Sequence, residues 1–394
     1  MIPYAAQNIN QADLDAVAEI LRSDFLTQGP AVPCFEQAVA DYCNVSHAIA
    51  VNSATSALHI ACLVLGVGAG DWVWTSPITF VASANCARYC GAQVDFVDID
   101  PRTCNMSVER LTEKLATAKN TNTLPKVVIP VHFAGQSCDM AAIHKLARRY
   151  GFRIIEDAAH AIGGRYQDEP IGGCQYSDIT VFSFHPVKII TTGEGGMALT
   201  NDPKLARRMA RLRSHGITRD SAEMTHSSDG PWYYQQIELG FNYRMTDIQA
   251  ALGLSQMQRL DQFVARRHEI ARYYDAALSA LPVTILRQHP DSYSAQHLYV
   301  LRLEPNRIRK TRRAVFEELR VAGIGVNLHY IPVYRQPDYQ GMGFKKEDFP
   351  EAERYYAEAI TLPLYPGLSE IEQDKIVRAS KNVFLEKDKT LALG

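Results

Sequence analysis

Apolar and polar positions follow two alternating patterns through most of the chain. Short apolar runs typical of buried strands are followed by longer segments in which apolar residues recur every three or four positions, as on one face of a helix. The predicted strands are 47–51, 72–75, 94–99, 127–131, 153–156, 179–184 and 197–200. The predicted helices are 10–22, 55–65, 81–90, 107–118 and 139–150, with another from Pro203. This alternation predicts an α/β fold, a mostly parallel sheet covered by helices on both faces.

The pattern changes after about residue 260. A charged helical stretch over 261–278 is followed by short predicted strands at 297–303 and 326–330 and by helices at 312–322 and 351–359. We therefore expect a large domain over 1–260 and a smaller C-terminal α+β domain over 261–394, with segment 1–12 packing on the smaller one. The polar stretch 218–234 predicts a surface loop or lid.

Composition and charge narrow the class of protein. The chain has 394 residues, 46% hydrophobic and 21% charged, as globular proteins do. With 41 basic and 43 acidic side chains the formal charge is −2, which offers no broad basic field for nucleic acid or an anionic membrane. One basic cluster has the spacing of a solvated helix face, and it comprises Lys204, Arg207, Arg208, Arg211 and Arg213.

Targeting and cysteine patterns point to the cytoplasm. No apolar run approaches the ~20 residues that a membrane-spanning helix needs. The N-terminus lacks the features of a signal peptide. The eight cysteines are scattered without a Cys-x-x-Cys pair, so we expect free thiols and no metal site.

The first chemical signal follows the first predicted strand. The stretch Asn52-Ser53-Ala54-Thr55-Ser56 opens a helix, where unpaired backbone N–H groups and hydroxyls can bind a phosphate. A simple helix cap explains the same residues.

An acid and a lysine follow two later strands. Asp157 follows the strand 153–156 and precedes two alanines, so its carboxylate needs a cation, either a protonated pyridine nitrogen or a Lys or Arg. Lys188 lies between Val187 and Ile189, and apolar surroundings lower the pKa of an amine and make it a nucleophile fit for a Schiff base. The alternative is a solvated surface lysine.

The glycines after Lys188 favour a reactive lysine over a solvated surface lysine. Gly193, Gly195 and Gly196 indicate a tight turn with close backbone approach. Phosphate site, carboxylate and lysine, in this order on one sheet, describe a pocket for pyridoxal 5′-phosphate.

These motifs resemble those of the DegT/DnrJ/EryC1/StrS family of nucleotide-sugar aminotransferases, which have the pyridoxal-phosphate-dependent transferase fold of type I. The matching segments are 53–58, 77–82, 156–161, 183–196, 213–216, 240–246 and 323–332. Within the family, strings such as Leu26-Thr27-Gln28-Gly29 and His297-Leu298-Tyr299 are most similar to the branch that serves pseudaminic acid biosynthesis.

The resemblance implies roles for individual residues. Lys188 would carry the cofactor and shuttle the proton, Asp157 would pair with the pyridine nitrogen, and His160 would lie near the ring hydroxyl. The implied cofactor-binding residues are Ala54, Thr55, Phe80, Asp157, His160, Ser183, Lys188 and Asn242. The implied substrate-binding residues are Tyr4, Leu26, Thr27, His185, His329, Tyr330, Ile331 and Pro332. Asn242 would reach the phosphate of the partner subunit, which implies a homodimer with shared active sites.

The resemblance also implies a reaction. L-Glutamate would donate its amino group to C4 of UDP-2-acetamido-2,6-dideoxy-β-L-arabino-hex-4-ulose, giving UDP-4-amino-4,6-dideoxy-N-acetyl-β-L-altrosamine. Alternatives are an aminotransferase making GDP-perosamine or a UDP-linked amino-arabinose, a sugar dehydratase of the same fold, and a non-catalytic protein. The dehydratases have His in place of the lysine, so Lys188 argues against them, and a non-catalytic protein would have lost Lys188 or Asp157.

Overall fold

The protein folds into helices and strands that largely match the sequence pattern. The structure, a computed structural model, describes residues 1–385. The strands are β1 (His47–Val51), β2 (Trp72–Thr75), β3 (Gln93–Phe96), β4 (Val127–Ile129), β5 (Arg153–Asp157), β6 (Arg165–Tyr166), β7 (Glu169–Pro170), β8 (Ile179–Ser183), β9 (Gly196–Thr200), β10 (Ile217–Thr218), β11 (Gln235–Gln236), β12 (Val283–Ile285), β13 (Ser292–Tyr293), β14 (Tyr299–Leu303) and β15 (Ala359–Leu362). The helices are α1 (Gln11–Arg22), α2 (Ala31–Cys43), α3 (Ala54–Val64), α4 (Ala82–Tyr89), α5 (Val108–Thr121), α6 (Met140–Tyr150), α7 (Pro203–Leu212), α8 (Asp247–Met257), α9 (Leu260–Leu278), α10 (Arg312–Val321), α11 (Pro337–Gln340), α12 (Pro350–Glu358) and α13 (Glu370–Leu385).

A seven-stranded sheet in the order β1-β9-β8-β5-β4-β2-β3 forms the centre of the molecule. Strand β9 is antiparallel to both neighbours, and the other strand pairs are parallel. Both faces are covered: Ile155 of β5 packs in the core with α3 and α4, whereas the adjacent Ile154 packs with α5 and α6. The predicted fold class, a mostly parallel sheet flanked by helices, is confirmed.

A second, antiparallel sheet of β12, β14 and β15 lies in the C-terminal part. It shares a core with α9, α10 and α13. The N-terminus joins this unit, because Ile2 N–H donates to Gly323 O (2.8 Å) and Gly325 N–H donates to Ile2 O (2.7 Å). The boundary near residue 260 stays a prediction, and residues 386–394 of the expected smaller domain lie outside the described residues.

Two predicted strands are wrong in extent. Residues 326–330 do not form a strand: only Asn327 pairs with Thr361 as an isolated bridge, and the next N–H, that of Leu328, donates to the Asn327 side chain. The strand predicted at 94–99 ends at Phe96. The N–H of Val97 still donates to Thr75 O beside β2, but the next N–H on that side, of Ile99, donates to the Asp98 carboxylate. In both places a side chain takes the backbone group that a neighbouring strand would have paired.

The stretch between β10 and β11 confirms the predicted surface loop. It contains neither helix nor strand, and Trp232 within it is 70% exposed. The basic cluster beside it lies on α7, where Arg208 and Arg211 both pair with Glu238. Within residues 1–385, no helix is both long and apolar enough to cross a membrane.

Candidate active site

A cavity of about 590 Å³ opens at the carboxyl ends of β5 and β8, where ligands bind in open α/β sheets. It is lined by eleven of the residues that the sequence singled out. They are Tyr4, Ala54, Thr55, Phe80, Asp157, His160, Ser183, His185, Lys188, His329 and Tyr330. The fold therefore brings together the phosphate, carboxylate and lysine signals that lie far apart in the sequence.

Five other predicted site residues do not line this cavity. Leu26, Thr27, Asn242 and Ile331 are exposed, and Pro332 is buried. Their roles stay predictions.

The N-terminus of α3 forms one end of the cavity. Ser53 caps the helix by accepting a hydrogen bond from Ser56 N–H (3.1 Å), and Ala54 and Thr55 belong to the first turn, whose N–H groups have no partner within the helix. Gly196 of β9 passes directly against this turn, since a Cβ there would lie 2.4 Å from Ala54 N. The cap is thus present together with the N–H groups that an anion site would use, and the predicted close approach at Gly196 is confirmed.

Asp157 also lines the cavity. Its carboxylate is buried and accepts hydrogen bonds from Ser83 Oγ (2.5 Å) and Ala159 N–H (3.1 Å). The Ser83 hydroxyl is in turn within 2.8 Å of Thr79 Oγ1. Among residues 1–385 Asp157 forms no ion pair with lysine or arginine, so a salt bridge does not explain this carboxylate.

Lys188 lines the same cavity, near Asp157. Burial lowers the pKa of its amine to about 8, although the negative charge of Asp157 opposes the shift. A solvated surface lysine would titrate near its ordinary value, so the place of Lys188 in the cavity lining argues against this alternative. At neutral pH an appreciable fraction of the amine is deprotonated and nucleophilic.

Three histidines enclose the lysine. Burial and the nearby positive charge of Lys188 lower the pKa of His160, His297 and His329, the last to about 3. His160 Nε2 hydrogen-bonds Tyr330 Oη (2.9 Å), and its ring centroid lies 4.4 Å from that of His297. The histidines are therefore uncharged near neutral pH and can donate or accept hydrogen bonds without adding positive charge around the amine.

Sequence reasoning missed several lining residues. Ser83 lies one helical turn after Phe80, and a hydroxyl at that spacing was the signal that could have found it. His297 and Asn327 also line the cavity, but they come from a distant part of the chain, and neither spacing nor charge linked them to Lys188.

The residues present fit pyridoxal phosphate. The turn of α3 can bind an anionic group, Asp157 can pair with a protonated ring nitrogen, and Lys188 can react with an aldehyde. The Nδ1 atoms of His160 and His297 are buried without a hydrogen-bond partner, which leaves polar capacity for a bound group.

The sequence profile of the DegT/DnrJ/EryC1/StrS aminotransferase family matches residues 7–381. The spore coat polysaccharide biosynthesis protein SpsC of Bacillus subtilis is 41% identical over 97% of both chains. A UDP-4-amino-4,6-dideoxy-N-acetyl-β-L-altrosamine transaminase of Campylobacter jejuni is 36% identical over 99% of both. A GDP-perosamine synthase of Caulobacter vibrioides is 37% identical over 98% of both.

Solved structures agree with this grouping. Helicobacter pylori PseC, an aminotransferase involved in the biosynthesis of pseudoaminic acid, superimposes with a TM-score of 0.88 at 31% identity, covering 97% of this chain and 99% of that one. The PMP form of Spr1654 from Streptococcus pneumoniae gives the same TM-score, identity and coverage. The chain therefore belongs to the DegT/DnrJ/EryC1/StrS family and is a pyridoxal-phosphate-dependent nucleotide-sugar aminotransferase.

Proposed function

We propose that the chain transfers the amino group of L-glutamate to C4 of UDP-2-acetamido-2,6-dideoxy-β-L-arabino-hex-4-ulose, a step in pseudaminic acid biosynthesis. The observation that carries the chemistry is the Lys188 amine, with a pKa lowered to about 8, in one cavity with Asp157 and the first turn of α3. The choice of sugar is supported by the likeness to the Campylobacter transaminase and to PseC.

Different residues of the cavity lining have separate tasks in this proposal. Bound pyridoxal phosphate supplies an electron sink for the carbon that loses or gains a proton. The N–H groups of Ala54 and Thr55, with the Ser183 hydroxyl, bind its phosphate. Asp157, held by Ser83, keeps the ring nitrogen protonated.

Lys188 performs the proton chemistry. Its amine would hold the cofactor until the amino donor takes its place, and it would then carry a proton to or from the substrate carbon. The second half-reaction uses the same amine in the reverse sense, so one cavity serves both substrates in turn. His160 and Phe80 line the cavity, where His160 would lie beside the ring and Phe80 would cover it.

The sugar side combines polar and aromatic groups. Tyr4 and His329 lie with ring centroids 5.3 Å apart, and Tyr330 completes this wall of the cavity. We propose that Leu26, Thr27 and Asn242 act in the cavity of a partner subunit, because they are exposed and do not line the cavity of their own chain. We therefore propose a homodimer with shared active sites.

Separated half-reactions followed by absorbance test the proposal. The protein is loaded with pyridoxal phosphate and given L-glutamate, and the cofactor's absorbance should change to that of the pyridoxamine form. After glutamate is removed, UDP-linked 4-keto hexoses and a GDP-linked one are offered separately. Return of the first absorbance with the UDP-linked L-arabino sugar alone supports the assignment.

The other outcomes are equally informative. Return with the GDP sugar alone contradicts the proposed sugar and moves the chain to perosamine synthesis, whose synthase is 37% identical to it. A Lys188→Ala protein that still completes both half-reactions contradicts the proposed role of the lysine. Lys204→Ala, at an exposed lysine of α7, is the matched control and should behave as the unmodified protein.

A further inference from the structure

Three thiols and an imidazole meet between α3 and α4, behind the cavity wall. Cys62 of α3 packs in one core with Cys86 and Cys90, which lie one turn apart at the end of α4. His59 lies one turn before Cys62 on α3, and its ring centroid is 5.5 Å from that of Tyr89, the residue before Cys90. His59 Nδ1 is held by Tyr243 Oη at 3.1 Å, so the ring is fixed in place.

The three thiols differ in their exposure to solvent and in their hydrogen bonds. Cys62 and Cys86 are buried, whereas Cys90 is partly exposed at the C-cap of α4. Cys86 Sγ donates to the Ser83 carbonyl (3.3 Å) within its own helix. Only Cys90 thus combines access from solvent with contact to a second thiol, and Cys62 is the buried thiol not engaged with its own helix.

The local chemistry favours the thiolate at Cys90. Hydrogen bonding to Cys62, together with the His59 imidazole, lowers the pKa of Cys90. Hydrogen bonding to Cys86 and Cys90 raises the pKa of Cys62. A partly exposed thiolate beside a second thiol is the arrangement of a cysteine that reacts with oxidants. No group of three or more potential ligands within residues 1–385 is arranged to hold a metal ion, so the cluster is not a metal site.

We propose that Cys90 and Cys62 form a redox-active dithiol, which a hydroperoxide converts to a disulfide linking α3 to α4. The Cys90 thiolate attacks one peroxide oxygen, the O–O bond breaks, and the other oxygen leaves as water or an alcohol after taking a proton. The sulfenic acid at Cys90 is then attacked by the Cys62 sulfur, which loses its proton as a second water leaves. The two thiols lose two electrons, and the peroxide gains them.

Alkylation rates test the reactive thiol without any substitution. The full-length holoenzyme is treated with iodoacetamide between pH 5 and 9, and cysteine peptides are quantified by mass spectrometry. Cys90 should react at least tenfold faster than Cys174 at pH 7. Cys174 is the matched control, being partly exposed like Cys90 but with its pKa raised by burial to about 12. Equal rates at the two cysteines overturn the proposal.

Oxidation tests the disulfide. A Cys34→Ser protein, which lacks the exposed cysteine, is treated with hydrogen peroxide, blocked with N-ethylmaleimide and digested with trypsin without reduction. Cleavage after Arg88 leaves Cys90 as the only cysteine of peptide 89–102, so any linkage to peptide 23–88 is visible directly. Linked peptides should appear and should disappear on reduction.

Two variants identify the partner. Cys86→Ala should keep the linked peptides, and Cys62→Ala should abolish them and leave Cys90 as a sulfenic acid that dimedone traps. Linkage that survives in Cys62→Ala or is lost in Cys86→Ala overturns the assignment of the pair. Absence of any linked peptide in the Cys34→Ser protein overturns the disulfide itself.

Discussion

The charge state of one amine, Lys188, controls how the protein takes up its cofactor. A free amine attacks an aldehyde, and its ammonium form does not. Burial lowers the pKa of Lys188 to about 8 from an ordinary 10.5. The deprotonated fraction at pH 7 is therefore roughly 300-fold larger than for a solvated lysine, since each pKa unit is a factor of ten.

We expect the rate of pyridoxal phosphate capture by the cofactor-free protein to follow this titration. The rate should rise about tenfold per pH unit below 8 and level off above it, because the reactive form accumulates as the proton leaves. Stopped-flow absorbance across pH 6–10 measures it. A midpoint near 10.5 would show that the cavity does not shift the lysine.

A buried ion pair stabilises the strand end that carries Asp157. His132 and Glu156 lie 2.7 Å apart, both buried, and Glu156 also accepts a hydrogen bond from Ser177 Oγ. Burial works against the charged imidazole, but hydrogen bonds to Cys138 and Glu156 outweigh it and raise the pKa of His132 to about 10. The histidine is thus charged at neutral pH, and the pair is intact.

Replacing this histidine should destabilise the fold in a pH-dependent way. His132→Ala leaves the Glu156 carboxylate buried and unpaired, at a cost of about 3–5 kcal/mol. Since the folded pKa of His132 lies above its unfolded value near 6.5, its stabilisation is complete below pH 6.5 and is lost as the pH rises through 10. Melting temperatures should differ most at pH 6.5 and converge towards pH 10, and a constant difference would contradict the pairing.

At the scale of elements, the position of the first turn of α3, where we propose that the phosphate binds, depends on how closely β9 passes it. A methyl group at Gly196 would lie 2.5 Å from the Ser53 carbonyl carbon and even closer to Ala54 N. Gly196→Ala must push the strand away from the first helical turn, and overpacking of this kind costs about 1–3 kcal/mol. If the displacement falls on the anion site, cofactor affinity drops roughly 5- to 150-fold.

Equilibrium titration of the cofactor-free variant with pyridoxal phosphate measures this loss. Gly68→Ala is the control, because nothing lies within 4 Å of a Cβ at that position and it is remote from the cavity. Unchanged affinity in Gly196→Ala would show that the first turn of α3 does not bind the phosphate.

These same elements explain what could be predicted from the sequence. Strands buried on both faces, such as β4, have continuous apolar runs, and each residue that follows such a strand must lie at one edge of the sheet, so Asp157 and Lys188 could be placed together. His297 could not, because its loop reaches the cavity through long-range backbone bonds, including His297 N–H to Ala134 O at 2.9 Å. The strand predicted at 326–330 is also wrong, because backbone pairing stops at the bridge of Asn327 with Thr361. Side chains bind the next backbone groups, Leu328 N–H and His329 O.

At the scale of the whole molecule, exposed apolar side chains lie close in sequence to the residues assigned to a partner. Phe25 and Leu26 directly precede Thr27 and are 52% and 48% exposed, while Leu239, shortly before Asn242, is 81% exposed. Large exposed apolar side chains mark contact surfaces when they cluster. A second copy of the chain covering both stretches would bury them and bring Asn242 to the neighbouring cavity.

Mixing two inactive variants distinguishes a shared site from a self-contained one. Lys188→Ala removes the reacting amine, and Asn242→Asp sets a negative charge where the phosphate of the partner's cofactor is expected. If Asn242 acts across the interface, a mixed dimer has one cavity with both defects and one with neither. Random reassociation makes about half of the dimers mixed, so activity should recover to about a quarter of the unmodified level.

The expected activity of the mixture is different if Asn242 acts in the cavity of its own chain. Every cavity in the mixture then carries one defect, and no recovery is possible at any ratio of the two proteins. Co-expression of the variants with different affinity tags, followed by purification of the doubly tagged dimer, raises the expected recovery to about half, because each such dimer has one intact site. Activity no higher than the mean of the two single variants would therefore place Asn242 outside the partner's active site, whatever the oligomeric state.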